Sequence, residues 1–137
     1  MKNPQDKIVF LIDDDPITNF IHTKVINAEL PYAVIAFTDA EKALEEIKQC
    51  QAFRTASLPD LILLDVNMPN MDGWEFLDEF QRLMNPALKK CGVIMLSSSL
   101  DRDDIERADT YKCVIEFISK PLTAQMLRDI YVPVERR

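Results

Sequence analysis

Five short hydrophobic runs alternate along this chain with amphipathic segments of helical spacing. The runs cover residues 8–12, 33–37, 61–64, 93–96 and 114–118. Such alternation is typical of a parallel sheet that is covered by helices on both faces. We therefore predict an α/β fold with a doubly wound, five-stranded parallel sheet, and its strands and helices use up the whole chain.

Polar residues directly follow four of the five runs. They are the triplet Asp13-Asp14-Asp15, then Asp65, Ser97 and the pair Lys120-Pro121. If the runs are parallel strands, all four signals emerge at the carboxyl edge of the sheet, where open α/β sheets bind their ligands. Carboxylates packed that closely repel one another unless a cation lies among them, and hard divalent ions such as Mg²⁺ prefer oxygen ligands. The sequence therefore predicts a metal-assisted phosphoryl site.

Each polar signal has a simpler structural explanation when it is considered alone. Asp15 stands before Pro16 and is a suitable helix cap, Ser97 could cap the next helix, and Lys120 could be an ordinary surface lysine. Asp65 is harder to explain, because a carboxylate that leaves a buried strand costs free energy unless a cation or hydrogen bonds compensate. The joint placement of these residues after four separate strands favours a single site.

The first two helices are predicted from apolar spacing and capping residues. Helix one begins at Pro16 and reaches about Leu30. Its predicted core face consists of Ile17, Phe20, Ile21, Val25 and Ala28. His22 falls off that face and is predicted to be exposed. Thr38 and Glu41 predict a capping box at the start of helix two.

The last three helices have less regular patterns. The predicted core face of helix three consists of Phe76, Leu77, Phe80 and Met84, and the helix ends near Pro86. Trp74, just before this face, is predicted to be a core or edge residue beside the site. Helix four has only Ile105 and Ala108 as apolar anchors, so we expect it to be weakly held. Helix five is capped by Thr123 and is predicted to end at Pro133.

Composition excludes several classes of protein. A chain of 137 residues suits one domain with a real core. The apolar runs are too short to cross a bilayer, and no secretory signal precedes the first strand. A net charge of −7 without a basic stripe argues against direct binding to nucleic acid. The three cysteines are widely spaced and odd in number, which indicates reduced thiols in a cytoplasmic protein.

Four segments together form a specific pattern. They read FLIDDDP at 10–16, LLDVNMPNMDG at 63–73, MLSS at 95–98 and FISKP at 117–121. In their order and spacing, from residue 8 to about residue 131, the chain resembles the receiver domain of two-component response regulators. The resemblance implies a flavodoxin-like, CheY-like (βα)₅ fold with strand order 2-1-3-4-5. It also implies a single, stand-alone receiver domain over residues 1–137.

The resemblance implies a role for each matching residue. Asp65 accepts a phosphoryl group from a phosphohistidine and is also a metal ligand. Asp13 and Asp14 hold Mg²⁺ directly or through water, and the backbone carbonyl of Asn67 completes the protein ligands. This chemistry agrees with the residues themselves, because a cation lets an anionic carboxylate approach an anionic phosphoryl group. The residues implied to bind the phosphoryl group are Ser97, Ser98 and Lys120.

A conformational switch is also implied by the resemblance. In the family, the hydroxyl at the Ser97 position moves toward the phosphoryl group and an aromatic residue on strand five turns inward, which changes the surface of helix four, strand five and helix five. Here that aromatic is Phe117, where many receivers have tyrosine, so we expect the switch to act through packing alone. The acyl-phosphate lifetime is tuned by the surrounding loop residues, and its value stays open. Those loop residues are Asn67, Pro69, Gly73 and Ser99.

The implied partners are proteins. A sensor histidine kinase or a histidine phosphotransfer protein supplies the phosphoryl group, and a downstream protein is the target. Dimerisation through helix four, strand five and helix five is left open. The domain is then no ordinary enzyme, since it catalyses only its own phosphorylation and dephosphorylation.

Two alternative functions remain. A phosphatase of the haloacid dehalogenase type would use the strand-one aspartate as its nucleophile, but that leaves the Asp65 loop unexplained and the chain has no room for a cap domain. A degenerate receiver would bind its partner without phosphorylation, although every chemical position is filled.

Overall fold

Five strands and five α-helices alternate along the part of the chain that the computed structural model describes, residues 7–83, 88 and 90–135. The strands are β1 (Ile8–Ile12), β2 (Ala33–Phe37), β3 (Leu61–Asp65), β4 (Gly92–Ser97) and β5 (Val114–Ser119). The helices are α1 (Pro16–Glu29), α2 (Ala40–Phe53), α3 (Gly73–Arg82), α4 (Arg102–Ala108) and α5 (Ala124–Glu135). Met84 and Pro86, which were predicted to complete helix three, lie outside the described residues.

The strands form one parallel sheet in the order β2-β1-β3-β4-β5, which confirms the predicted fold and strand order. Ile12 lies opposite Leu64 and Asp65 lies opposite Leu96, so β1, β3 and β4 end at nearly the same level. Ser97 pairs with Ser119 in β5. The residues that follow these strands therefore emerge side by side at the carboxyl edge.

Apolar side chains from the two faces of the sheet form two core clusters. In β3, Ile62 and Leu64 pack into one cluster with residues of α2 and α3. Leu61 and Leu63 point to the opposite face and pack into the other cluster, with residues of α1 and α5. A central strand that is buried on both faces needs apolar residues at every position, which explains why the central strands read as continuous runs. None of the described helices is long and apolar enough to cross a bilayer.

The predicted core face of α1 is wrong for most of its residues. Val25 packs against the core cluster of Leu61 and Leu63, as predicted, but Ala28 is exposed. Ile17, Phe20 and Ile21 are 69%, 64% and 48% exposed, respectively. The buried residues of this helix are Asn19, His22 and Ile26. Two of these are polar. The Asn19 side-chain amide N–H and the His22 ring hydrogen-bond to the backbone of other segments, whereas the buried Asn19 Oδ1 has no hydrogen-bond partner. The prediction that His22 is exposed is therefore also wrong, since it is only 1% exposed.

The helix caps agree with the sequence in part. The cap of α2 is Asp39 rather than Thr38, because the Asp39 carboxylate accepts hydrogen bonds from the backbone N–H groups of Glu41 and Lys42 at 2.8 and 3.4 Å. Thr123 accepts a bond from the Met126 N–H at 3.1 Å, as predicted for α5. This helix continues to Glu135, so the predicted end at Pro133 is wrong. Proline removes one backbone hydrogen bond but its φ is helical, so it does not by itself end a helix.

An aromatic cluster joins α3 to α4. Trp74 is 6% exposed and lies in the core, as predicted. The Arg107 guanidinium lies 4.6 Å from the centre of the Trp74 ring, and Tyr111 stacks on the same ring. Of the two anchors predicted for helix four, Ala108 is buried and Ile105 is 39% exposed. The cation–π contact of Arg107 therefore adds to the limited apolar contact of α4.

Candidate functional site

Three carboxylates meet at the carboxyl edge of the sheet. Asp13 follows β1, Asp65 ends β3, and both are almost fully buried, whereas Asp14 is exposed. One carboxylate oxygen from each of the three lies within 4.8 Å of the others. The predicted acid cluster is therefore present as a group of oxygen donors that is open to solvent on the Asp14 side.

Lys120 lies between the two buried acids. Its Nζ is 2.6 Å from Asp13 Oδ2 and 3.1 Å from Asp65 Oδ1. Asp13 Oδ2 is buried and has this ion-pair contact, but no well-aligned hydrogen bond. The backbone N–H of Lys120 donates to the Ser97 carbonyl at 2.8 Å, which fixes the lysine backbone beside β4. The predicted convergence of Asp13, Asp65 and Lys120 is thus observed.

Burial changes the acid–base properties of this group. Loss of solvent, and then the neighbouring charge of Asp13, raises the pKa of Asp65 to about 6 against the opposing effect of Lys120. Burial opposes the charge on Lys120, but its contacts with Asp13 and Asp65 prevail and raise the pKa of the lysine. Two carboxylates therefore share one ammonium group, and the site still favours additional positive charge.

The donor set of the cluster fits a hard divalent cation. Every side-chain donor is a carboxylate oxygen, and Mg²⁺ binds through one or two carboxylates while it keeps several waters. The Asp13 oxygen without a well-aligned hydrogen bond is also a suitable ligand atom. Asn67 is exposed, and its N–H donates a long bond of 3.4 Å to Asp65 Oδ1. The role of the Asn67 carbonyl as a metal ligand stays a prediction.

The three serines at the carboxyl end of β4, Ser97 to Ser99, form a compact turn. Ser97 is 1% exposed; its hydroxyl donates to the Ser99 carbonyl at 2.6 Å and accepts a bond from the Ser99 N–H at 3.2 Å. Ser98 is exposed and, with Lys120 and Pro121, lines a cavity of about 200 Å³. The Ser97 hydroxyl therefore has backbone partners in this conformation and must leave the Ser99 carbonyl before it can donate elsewhere.

The loop after β3 is held in place by a close backbone approach at Gly73. The Gly73 N–H donates to the Val66 carbonyl at 2.9 Å. A Cβ atom on Gly73 would lie 2.7 Å from the Asp65 carbonyl oxygen and 3.0 Å from the Val66 Cα. Asp72 and Glu75 form a reciprocal capping box directly after the loop. This position therefore requires glycine so that the loop can fold against the backbone of Asp65.

We expect the Gly73→Ala variant to lose stability and to bind Mg²⁺ more weakly. The added methyl group meets backbone atoms that cannot move without shifting Asp65, so the cost should be about 1–3 kcal/mol in the free energy of unfolding. Urea unfolding and calorimetric titration with Mg²⁺ would measure both effects.

Gly92→Ala is the matched control for that variant. Its Cβ would meet the side chain of Ile115 at 3.1 Å, and this side chain can move aside. We expect a change below about 1 kcal/mol and unaltered Mg²⁺ binding. Equal losses in both variants would show that the approach at Gly73 has no special role.

Two buried polar residues of α1 complete the surroundings of the site. The Asn19 side-chain amide donates to the carbonyls of Asp13 and Phe37 at 2.9 and 3.3 Å. The His22 Nε2 accepts a hydrogen bond from the Leu122 N–H at 3.1 Å. Apolar spacing alone could not identify these residues. A helical face centred on Ile26 would have placed both inward, because His22 lies four residues before Ile26 and Asn19 lies three residues before His22.

The doubly wound parallel sheet, with clustered acids, a hydroxyl and a lysine at its carboxyl edge, is the arrangement that the sequence motifs predicted for a receiver-like α/β domain. Residues 9–131 match the family model of the response regulator receiver domain. The chain therefore belongs to the receiver domains of two-component response regulators, as the sequence motifs predicted.

Individual relatives agree with this assignment. The response regulator Rcp1 of Synechocystis is 30% identical over 100 residues, which are 72% of this chain and 67% of Rcp1. A two-component response regulator from Cytophaga hutchinsonii superimposes with a TM-score of 0.86 at 35% identity, over 96% of this chain and 98% of that one. The phosphorylated cyanobacterial phytochrome response regulator RcpA gives 0.72 at 32% identity, over 95% and 91%.

Longer proteins also match this chain. It spans only 29% of the length of the protein-glutamate methylesterase/protein-glutamine glutaminase of Thiobacillus denitrificans. The similarity to that relative therefore supports the receiver family and carries no methylesterase activity to this chain.

Proposed function

We propose that this receiver accepts a phosphoryl group on Asp65 from a phosphohistidine of a sensor histidine kinase or a histidine phosphotransfer protein. The observation that carries the proposal is the contact of Lys120 Nζ with both Asp13 and Asp65, which puts a fixed cation beside a buried carboxylate nucleophile. In the transfer, an Asp65 oxygen bonds to phosphorus while the bond from phosphorus to the donor imidazole nitrogen breaks. The imidazole leaves with that electron pair, and Asp65 becomes an acyl phosphate.

The reaction is proposed to depend on Mg²⁺ held by Asp13, Asp14, Asp65 and the backbone carbonyl of Asn67. When bound there, the ion offsets the repulsion between the carboxylate and the phosphoryl group. Lys120 supplies a second positive charge for the phosphoryl oxygens. Ser98 directly follows the last residue of β4, and its backbone N–H is proposed to bind the phosphoryl group. The relative RcpA has been crystallised in a phosphorylated form, which supports the proposal that a domain with this fold accepts a phosphoryl group.

Signal output is proposed to follow from Ser97 and Phe117. The Ser97 hydroxyl would exchange its bond to the Ser99 carbonyl for one to the phosphoryl group. Phe117 pairs with Met95 of the adjacent strand and is partly buried against the first core cluster, so it can respond to this movement by packing. The changed surface of α4, β5 and α5 would then control a downstream protein target. Pro69, Gly73, Asn67 and Ser99 are proposed to set the lifetime of the acyl phosphate.

The proposed functional unit is one receiver domain with its core at residues 8–131. A cytoplasmic location, in line with the expected reduced thiols, belongs to the same proposal. No catalytic turnover of an external substrate is proposed, because the chemistry ends on a side chain of the domain itself.

The proposal is tested by incubation with Mg²⁺ and acetyl phosphate or phosphoramidate, followed by intact-mass measurement. We expect a single hydroxylamine-labile phosphoryl adduct on the wild type and none on Asp65→Asn. Asp109→Asn, which changes an exposed acid after α4, is the matched control and should be modified like the wild type. Removal of Mg²⁺ with a chelator should suppress the adduct.

Other outcomes would favour other functions. An adduct that survives in Asp65→Asn but disappears in Asp13→Asn would support the phosphatase. No adduct on wild-type protein that binds Mg²⁺ would support a binding module that works without phosphorylation.

A further inference from the structure

His22 connects α1 to the loop that carries Lys120. It lies 100 residues before Leu122 in the chain, and its Nε2 accepts the Leu122 backbone N–H at 3.1 Å. His22 and Leu122 are 1% and 2% exposed, so water cannot readily replace either partner of this bond. A buried backbone N–H needs an acceptor, and here a side chain of another helix provides it.

The hydrogen bond determines the state of the imidazole. Because Nε2 accepts, the proton of the neutral ring is on Nδ1. Burial lowers the pKa of His22, and the positive charge of Lys120 also lowers it, whereas Asp13 acts in the opposite direction. The ring is therefore a neutral acceptor that adds no second cation beside Lys120.

The Leu122 bond fixes the lysine loop from the side of α1. The Lys120 backbone is held from the opposite direction, because its N–H donates to the Ser97 carbonyl of β4 at 2.8 Å. These two bonds bracket a segment of three residues. From this segment the Lys120 side chain reaches Asp13 at 2.6 Å and Asp65 at 3.1 Å. A shift of the loop would move Nζ relative to both acids.

Asn19, three residues before His22, fixes the other partner of the ion pair. Its amide donates to the Asp13 carbonyl at 2.9 Å and to the Phe37 carbonyl of β2 at 3.3 Å. The buried face of α1 thus contacts the loop of Asp13 through Asn19 and the loop of Lys120 through His22. This arrangement explains why two polar side chains occupy positions that apolar residues would normally fill.

We propose that His22 is a positioning residue for Lys120, which acts through the Leu122 backbone to hold the ammonium group between Asp13 and Asp65. This inference rests on the proposed phosphoryl transfer, since it assigns His22 to the same site. His22 itself touches no reacting atom. Its contribution is to the geometry in which Lys120 meets the phosphoryl oxygens, where small displacements have large effects on rate.

The test compares His22→Leu with His22→Gln. Leucine fills a similar volume without an acceptor, whereas the glutamine side-chain oxygen can accept the Leu122 N–H. Three quantities are measured on each variant: the hydrogen-exchange rate of the Leu122 amide, the phosphorylation rate with acetyl phosphate, and the Kd for Mg²⁺. Circular dichroism confirms that each variant is folded under the conditions used.

For His22→Leu we expect Leu122 amide exchange to be about tenfold faster and phosphorylation about tenfold slower. The Kd for Mg²⁺ should not rise, because the carboxylates of Asp13, Asp14 and Asp65 keep their places and a displaced ammonium group competes less with the metal. His22→Gln should restore both rates. If His22 only supported the fold, His22→Leu would weaken Mg²⁺ binding together with phosphorylation, and His22→Gln would not specifically restore the phosphorylation rate.

Three results would overturn the inference. One is an unchanged phosphorylation rate in His22→Leu; another is an equal loss in His22→Gln despite a protected Leu122 amide; the third is a parallel loss of Mg²⁺ affinity. If wild-type protein accepts no phosphoryl group, the proposed function fails by itself. The NMR resonance of the Lys120 ammonium group then decides the positioning role. A shift in His22→Leu that His22→Gln reverses supports this role, and an unshifted resonance rejects it.

Discussion

Replacing Lys120 with methionine should slow phosphorylation by acetyl phosphate by about a hundredfold to a thousandfold. The ammonium group is within 3.1 Å of the Asp65 carboxylate, and no other cationic side chain among the described residues makes an ion pair with that acid. Charge stabilisation of this kind in a buried site typically contributes that factor to the rate. The rate of adduct formation, followed by intact mass at saturating Mg²⁺, measures the effect.

The same substitution should have the opposite effect on metal binding. Without Lys120, Asp13 and Asp65 are two buried carboxylates with no ammonium partner, so an added cation gains more favourable interactions than in the wild type. We expect tighter Mg²⁺ binding. In metal-free protein at neutral pH, we also expect a loss of about 3–5 kcal/mol in the free energy of unfolding, which Mg²⁺ should largely restore.

Lys112→Met is the matched control, because this lysine is exposed on the loop before β5. It should leave the phosphorylation rate and the Mg²⁺ affinity unchanged. If Lys120→Met bound Mg²⁺ more weakly than the wild type, the lysine would be supporting the metal site rather than competing with it. If Lys120→Met were phosphorylated at the wild-type rate, Lys120 would have no part in the proposed phosphoryl transfer.

The central sheet and the site could be predicted because both depend on local pattern and simple topology. β3 lies between β1 and β4 and is buried on both faces, so its sequence Leu61–Asp65 is apolar up to its final residue. Parallel strands bring their carboxyl ends to one edge, and this alone places Asp13 near Asp65. Lys120 follows the outer strand β5, and its side chain is long enough to reach both acids.

The inner face of α1 could not be predicted by the same reasoning. Apolar spacing selected Ile17, Phe20 and Ile21, which are exposed, because hydrophobic periodicity assumes that buried positions are apolar. The face is instead determined by hydrogen bonds to distant backbone groups, such as the bond from Leu122 to His22. The sequence around His22 contains no feature that predicts a hydrogen bond to Leu122, which lies 100 residues later. The cap of α2 was missed by only one residue, since Thr38 and Asp39 are both good caps and geometry decides between them.

Asp65→Asn should stabilise the metal-free protein at neutral pH even though it abolishes phosphorylation. Burial and the charge of Asp13 raise the pKa of Asp65 from 3.8 to about 6. A carboxyl group whose pKa is raised in the folded state contributes stability that is fully present below about pH 3.8 and is lost as the pH rises through about 6. At pH 7 the wild type therefore carries an unfavourable ionised group that asparagine lacks.

The raised pKa corresponds to up to about 3 kcal/mol at pH 7, and the advantage of the variant should shrink steadily as the pH falls toward 4. Urea unfolding with a chelator at several pH values tests this dependence. Asp109→Asn, at an exposed acid, is the control, and an equal pH dependence in that variant would show that the effect does not come from the burial of Asp65. Added Mg²⁺ should reverse the order, because it stabilises the wild type by binding the carboxylate that the variant has lost. A variant less stable than the wild type at pH 7 without metal would mean that the attraction of Lys120 for Asp65 exceeds the cost of burial.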